Sequence, residues 1–309
     1  MPLLYDYKND NHGNKYIALT GYDGEISALI IPEEIDGLPI KEVCASAFSG
    51  RRDIVEVKLP VTIEILGRYA FYNCTGLKKI QLYDGVEDYY DGVIKQCRNL
   101  EEISIVFRND NYSVMRDMLR DNDRKLRFNL QLKNGERFSL TFPAYVYDFV
   151  EDVEARVLHH KIEGAGYPYR ECVTRKNIDL LTYDRLFKNV ISDSTYTAAE
   201  IALDRLMYPY NLKDEFSQEY NGYVLRKSEE ILGYFLRKKT KGSLDRRTTE
   251  IIDYMCKNRL ITKEAVEMAI KITSEDGLTE SCALFMNYQK ENYGMLIENT
   301  SNDLSLEDW

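Results

Sequence analysis

RYAFYNCTGLKKIQL (Arg68–Leu82) decides the fold of this chain, because the chain writes the same pattern again on both sides of it. AFSGRRDIVEVKL (Ala47–Leu59) lies twenty-three residues earlier and VIKQCRNLEEISI (Val93–Ile105) starts twenty-three residues after Ala70. At this offset Ala47, Ala70 and Val93 share a column, and Phe48 falls on Phe71. Ile54, Leu77 and Leu100 align, then Val57, Ile80 and Ile103, then Leu59, Leu82 and Ile105. Cys74 and Cys97 share a column that Arg51 occupies one copy earlier. Periods of about 20–50 residues mark stacked units, each too small to bury its own apolar face.

Each unit ends in L-x-x-I-x-I, whose alternation reads as a half-buried strand. Stacked copies therefore predict parallel strands side by side over a continuous core. The Leu and both Ile positions point inward. The alternate positions Glu56, Lys58, Lys79, Gln81, Glu102 and Ser104 then point outward together, two per rung. Their mixed charge suits a protein partner better than a nucleic acid, which demands basic residues throughout. A looser copy is EISALIIP (Glu25–Pro32). After the repeats, NYSVMRDMLRDN (Asn111–Asn122) reads as a short helix with Val114, Met115, Met118 and Leu119 on one side. LRFNLQL (Leu126–Leu132) and RFSLTFP (Arg137–Pro143) read as closing strands, with Asn134-Gly135 as the tight turn between them. Cys74 and Cys97 are expected on adjacent rungs, about 5–6 Å apart at Cα, as free thiols.

The pattern I-x-x-x-A-F-x-x-C-x-x-L-x-x-I-x-I/L resembles the BspA-type, or treponemal-type, leucine-rich repeats. Ile65–Leu82 carries it with Ala70, Phe71, Cys74, Leu77, Ile80 and Leu82 in place. Val43–Leu59 carries it with Arg51 in the Cys position, and Tyr89–Ile105 keeps Cys97, Leu100 and Ile103 but has Val93-Ile94 for the Ala-Phe pair. The resemblance covers about residues 20–110. It implies a short leucine-rich-repeat β solenoid of bacterial type and a role in binding, often on bacterial cell surfaces.

Beyond Phe149 the period changes. RVLHHKI (Arg156–Ile162) reads as a strand ending in Gly164-Ala165-Gly166, and helical periods follow. Tyr183, Leu186, Phe187 and Val190 form one stripe. Thr197-x-x-Glu200 reads as a capping box, with Tyr196 and Ile201 as its staple. Further helices are expected over 228–239, 248–258, 262–273 and 279–292, joined by short loops that force antiparallel neighbours. The last pair resembles an ankyrin-like helical hairpin, with Gly277 ending one helix and Ala265, Ala269 and Ala283 allowing close approach. The expected organisation is α+β: residues 1–143 a leucine-rich-repeat domain with closing strands, 144–295 an α-helical ankyrin-like domain, and 296–309 an acidic tail.

The 309 residues are 44 % hydrophobic and 30 % charged, a globular profile, and the net charge of −10 disfavours nucleic acid and anionic membranes. No stretch approaches the roughly 20 apolar residues that span a bilayer. The start of the chain lacks the charged and apolar segments of a signal peptide, so a cytoplasmic location is expected, with the cell surface as the alternative. The six cysteines match no zinc spacing. The basic cluster Arg237, Lys238, Lys239, Lys241, Arg246 and Arg247 reads as a solvated helix end. His159 and His160 are adjacent on a strand and face opposite ways, so no metal site and no cofactor is expected. GAGYPYR (Gly164–Arg170) is the most ligand-like run outside the repeats, and reads as a plain turn. The function expected is a non-enzymatic protein–protein interaction module. The alternatives are a surface adhesin or glycan binder, or a hydrolase or transferase using Cys172, His159 and Arg170.

Overall fold

The computed structural model describes residues 2–152, 157–238 and 243–294. They form two compact units, Met1–Gln218 and Glu219–Trp309.

The first unit opens with an antiparallel hairpin, β1 (Leu3–Asn9) and β2 (Lys15–Tyr22). The repeats then lay down β3 (Ala28–Ile30), β4 (Glu34–Ile35), β5 (Leu38–Val43), β6 (Glu56–Lys58), β7 (Ile65–Leu66), β8 (Lys79–Tyr83), β9 (Asp88–Tyr89) and β10 (Glu102–Val106). Helix α1 (Ser113–Asp121) interrupts the pattern, and β11 (Leu126–Gln131) and β12 (Arg137–Phe142) close it. Alternate strands go to two different sheets. One has the order β12-β11-β10-β8-β6-β3, and the other β1-β2-β5-β7-β9 with β4 folded back on β5. Apart from the antiparallel β1, β4 and β12, every pair is parallel. The result is a β solenoid of about five turns, as the 23-residue offset requires.

The register confirms the columns read from the sequence. Leu29, Val57, Ile80, Ile103 and Phe128 are paired in one row, and Leu82, Ile105 and Leu130 in another; all are buried. Ile17, Leu19, Ile40, Val43 and Leu66 form the other wall of the same core. Phe48 and Phe71 stack at the turns, with ring centroids 5.3 Å apart and planes 7° apart. Adjacent turns come so close that a Cβ on Gly76 would lie 2.0 Å from the Arg52 carbonyl oxygen, so only glycine fits there.

The cysteine column is buried, yet it is more than filler. Cys74 Sγ donates to the Phe48 carbonyl and Cys97 Sγ to that of Phe71, each at 3.0 Å. Arg51 has the same task in the first copy: its Nη1 donates to Tyr22 O and its Nη2 to Gly24 O. The column is therefore a ladder of donors that satisfies carbonyls one turn earlier, which buried backbone requires. All six cysteines are free thiols. Contact with Cys74, together with burial, holds the Cys97 thiol well above its ordinary value. Both side chains are also fully buried, and a thiol reacts only where reagent reaches it, so Cys74 and Cys97 should stay unlabelled by a maleimide in the native protein and label fully in denaturant. Rapid native labelling of either, read by peptide mass spectrometry, would contradict the ladder.

Helix α1 buries Val114, Met115, Met118 and Leu119, the four residues expected. Asn134-Gly135 makes the β11–β12 turn, with Gly135 at φ 87°. Hairpin β13 (Val146–Asp152) and β14 (Val157–Glu163) follows, then α2 (Gly166–Glu171), α3 (Leu180–Arg185), α4 (Phe187–Asp193) and α5 (Thr195–Met207). Tyr183, Phe187 and Val190 are buried as expected. The cap of α5 is displaced from its expected place. Ser194, not Thr197, is the N-cap, and it accepts from Thr197 N. Glu200 thus lies inside the helix, buried and paired with Lys125, and forms no capping box.

Helix α6 (Asp214–Arg226) spans the division between the units. The second unit holds α7 (Ser228–Arg237), α8 (Arg246–Lys257), α9 (Lys263–Glu275) and α10 (Thr279–Tyr293). Helix α9 packs on both α7 and α10. Asp245 caps α8 by accepting from Thr248 N, and Thr262 caps α9 by accepting from Ala265 N. Gly277, at φ 69°, follows the end of α9. Ala265 and Ala269 are buried at the packing face, but Ala283 is exposed. The buried side of α10 runs through Phe285 and Tyr288, and a residue two before Phe285 lies about 200° away around the helix.

Candidate functional site

The six outward positions read from the repeats do come together on the outer face of the β12-β11-β10-β8-β6-β3 sheet. Glu56, Lys79 and Glu102 are paired across three parallel strands, and so are Lys58, Gln81 and Ser104. None of the six is buried. Inward neighbours Val57, Ile80 and Ile103 fix this orientation, since successive strand residues face opposite ways.

The same face extends further than the repeat columns reveal. The first row continues through Glu102 to Arg127 on β11. Its charges alternate in sign: Glu56, Lys79, Glu102, Arg127. Lys79 Nζ lies 3.5 Å from Glu102 Oε1, and Arg127 Nη1 lies 3.4 Å from Glu102 Oε2. Lys58 Nζ lies 3.5 Å from Glu56 Oε1 along its own strand. The second row starts at Ile30, which is 62 % exposed, and runs through Lys58, Gln81 and Ser104 to Asn129. Tyr83 and Val106 add an apolar pair at the ends of β8 and β10, with Arg108 stacked 5.5 Å over the Tyr83 ring. Tyr83 and Val106 fall one step beyond the repeated motif, and Arg127 and Asn129 sit on a strand outside it. Only the register exposes their membership.

One end of this face is closed. Helix α5 packs on β12, and its Asp204 accepts from Thr141 Oγ1 at 2.8 Å and from Arg127 Nε at 3.0 Å. From Lys79 towards β12, exposure of the first-row side chains falls accordingly: 58 % at Lys79, 26 % at Glu102 and 11 % at Arg127, against 39 % at Glu56 on the far side. The open end therefore spans β3, β6 and β8, and Lys58 and Lys79 are the cations it offers to solvent. Beneath α5, Arg205 makes a bidentate pair with Asp184 at 2.8 and 2.9 Å, both side chains buried. This anchors the helix that sets the boundary of the platform.

The catalytic alternative meets a different environment. Arg170 is buried, and each of its nitrogens is engaged by backbone carbonyls. Nε donates to Leu119 O at 3.1 Å, Nη1 to Pro143 O and Gly166 O, and Nη2 to Asn122 O and Arg124 O. A guanidinium has five N–H donors, so this set leaves none for a substrate anion. Burial lowers its pKa to about 10. Cys172 is buried, and burial pushes its thiol up to about 12, the opposite of an activated nucleophile. His159 and His160 fall on β14, with side chains outside the described residues. In GAGYPYR, a Cβ on Gly166 would lie 2.2 Å from Pro143 O; the glycine serves close packing. Of the basic cluster, Lys239 and Lys241 lie outside the described residues, as does the 296–309 tail.

These features define the class: a leucine-rich-repeat solenoid with a helical region after it, an architecture that presents extended surfaces. Residues 24–119 match the model of the BspA type leucine rich repeat region, in six copies. Among solved structures the chain is similar to a leucine-rich-repeat protein of T. pallidum, with 31 % identity over 34 % of this chain and 51 % of that one, and a TM-score of 0.30. It is also similar to a leucine rich cell surface protein of Faecalibacterium prausnitzii A2-165, with 21 % identity over 33 % of this chain and 31 % of that one, and a TM-score of 0.28. A leucine-rich-repeat protein from Bacteroides capillosus shares 20 % identity over 35 % of this chain and 89 % of that one, with a TM-score of 0.26. The chain thus spans about half the length of the treponemal protein and about a third of the Faecalibacterium one. No curated protein matches it. Among the described residues, no helix is long and apolar enough to cross a membrane.

Proposed function

We propose that this chain is a non-catalytic interaction module, and that the open end of its outer sheet face docks a protein partner. The observation that carries this reading is the in-register pair of rows, Glu56-Lys79-Glu102 with its charges alternating and Lys58-Gln81-Ser104 beside it, lying on a parallel sheet. A sheet fixed by a continuous core holds its outward side chains at set spacings, so a partner meets a preorganised pattern and pays less ordering entropy. Alternating sign selects a partner of complementary pattern and repels uniformly charged surfaces. Ile30, Tyr83 and Val106 supply apolar contact beside the charges, as protein interfaces require.

The test is the double reversal Lys58→Glu, Lys79→Glu. It places like charges next to Glu56 and Glu102, so partner capture from the native lysate should fall at least tenfold. The melting temperature should move little, because exposed pairs contribute only about 0–1 kcal/mol. Capture that survives the reversal and disappears instead when α7–α10 are removed would move the binding surface to the second unit.

A further inference from the structure

The first unit carries a second feature that the docking face does not use. A cleft of about 560 Å³ opens where the last repeat turn meets the end of α1 and the start of β13. Its walls include Lys95 and Arg98 from the turn, Arg120 and Arg124 from either side of the α1 terminus, Tyr145 from just before β13 and Tyr147 from β13 itself. All four cations are exposed. This concentrates positive charge at one place on a protein whose net charge is −10.

The acids in the cleft are outnumbered: its wall sets two carboxylates, Asp121 and Asp123, against the four cations. Asp121 is also turned to the backbone, accepting from Gly92 N at 3.0 Å, Ile94 N at 3.1 Å and Tyr89 Oη at 2.8 Å. Those bonds tie the helix end to the repeat. Asp123 is the other carboxylate on the wall, and Asp117 lies near Arg120 outside it. The floor is fixed. Asn122 is buried, donating to Cys97 O and accepting from Arg124 N. Tyr145 is held against the buried Arg170 guanidinium, 4.6 Å from ring centroid to the guanidinium carbon. The cleft is thus of ligand size with a fixed floor and is edged by three guanidinium groups, which grip oxyanions in bidentate fashion.

We propose that this cleft binds a small ligand carrying two or more tetrahedral oxyanion groups, phosphate or sulfate. Arg98, Arg120 and Arg124 hold the oxygens, Lys95 adds a point charge, and Tyr145 and Tyr147 flank the body of the ligand. The site is independent of the docking face, so either can fail without the other.

Calorimetric titration of the full chain at low ionic strength tests it, with inorganic pyrophosphate, a disulfated disaccharide and a tri-aspartate peptide as probes. Pyrophosphate, the disulfated disaccharide or both should bind, and the better of the two identifies the source of the oxyanion. Arg98→Glu with Arg124→Glu should weaken that binding at least tenfold. The charge-matched pair Lys257→Glu with Lys271→Glu, on exposed positions of α8 and α9, should not. Arg98→Gln with Arg124→Gln, checked for an unchanged melting temperature, covers misfolding of the reversal. Absence of binding by both oxyanion probes, equal weakening by the control pair, full binding by the Gln pair, or tri-aspartate binding as tightly as the oxyanions would each overturn the proposal.

Discussion

Phe71→Ala is expected to destabilise the first unit by about 3–5 kcal/mol, the range for a fully buried aromatic. Phe71 is 1 % exposed and stacked on Phe48 of the neighbouring turn. Its loss removes the transfer energy of the ring and leaves a cavity that parallel turns cannot collapse to fill. The turns are pinned on both sides, by Phe48 N donating to Ala70 O at 2.9 Å from the preceding turn and by Phe71 N donating to Val93 O at 2.9 Å on the following one. Chemical denaturation followed by circular dichroism gives the number. A loss under about 1 kcal/mol would mean that the Ala-Phe column is not a core column, and the solenoid account would fail with it.

Arg170→Ala should be comparably severe, costing roughly 3–5 kcal/mol. The buried guanidinium gathers carbonyls from α1, from the loop before β11, from the end of the sheet and from α2. Each carbonyl left buried without a donor costs on the order of 1–3 kcal/mol, reduced wherever water enters the space left behind. Arg170→Lys should not rescue it, because an ammonium offers three donors from one point and cannot span this fan of acceptors. The same denaturation experiment reads both variants. Full stability in Arg170→Lys would show that the charge alone matters, and would reopen a ligand-facing role for this residue.

What the chain reveals before folding follows from which interactions are periodic. Columns such as Val57, Ile80 and Ile103 recur at one offset, so they disclose the stacking, the register and the outward pairs between them. The hairpin β1–β2 gives less signal. β1 is an edge strand that buries only Leu3 fully, so its apolar residues do not alternate clearly against polar ones. Arg127 and Asn129 complete the docking face from a strand outside the repeat, and no offset points to them. The Cys column reads as core from its spacing, and it is buried. Its hydrogen bonds to carbonyls one turn earlier are invisible in the sequence, although Arg51 in that column hints at a donor. The α5 cap was displaced because Thr197-x-x-Glu200 and Ser194 compete for the same helix start. Ser194 has the extended backbone that an N-cap needs, at φ −155° and ψ 112°, and Glu200 is drawn inward by Lys125.

The platform reading also explains why the two ends of the sheet differ. At β12 the outer face is buried under α5, held by Asp204 and anchored by Arg205–Asp184. At β3, β6 and β8 it is open to solvent, with Ile30 62 % exposed and the Lys79 side chain 58 %. A helix that caps one end of a face limits where a partner can lie, and on the proposed reading contact falls on Lys58, Lys79 and Gln81.

The most direct measurement of that contact is site-specific photo-crosslinking. A photoreactive phenylalanine analogue replaces Gln81, at the centre of the outward rows, or Lys257, on the exposed side of α8. The account predicts one discrete adduct from position 81, abolished by excess unlabelled wild-type protein but not by excess Lys58→Glu, Lys79→Glu protein, and no such adduct from position 257. An adduct from position 257 alone, or one from position 81 that the double variant competes away as well as wild type does, would contradict it.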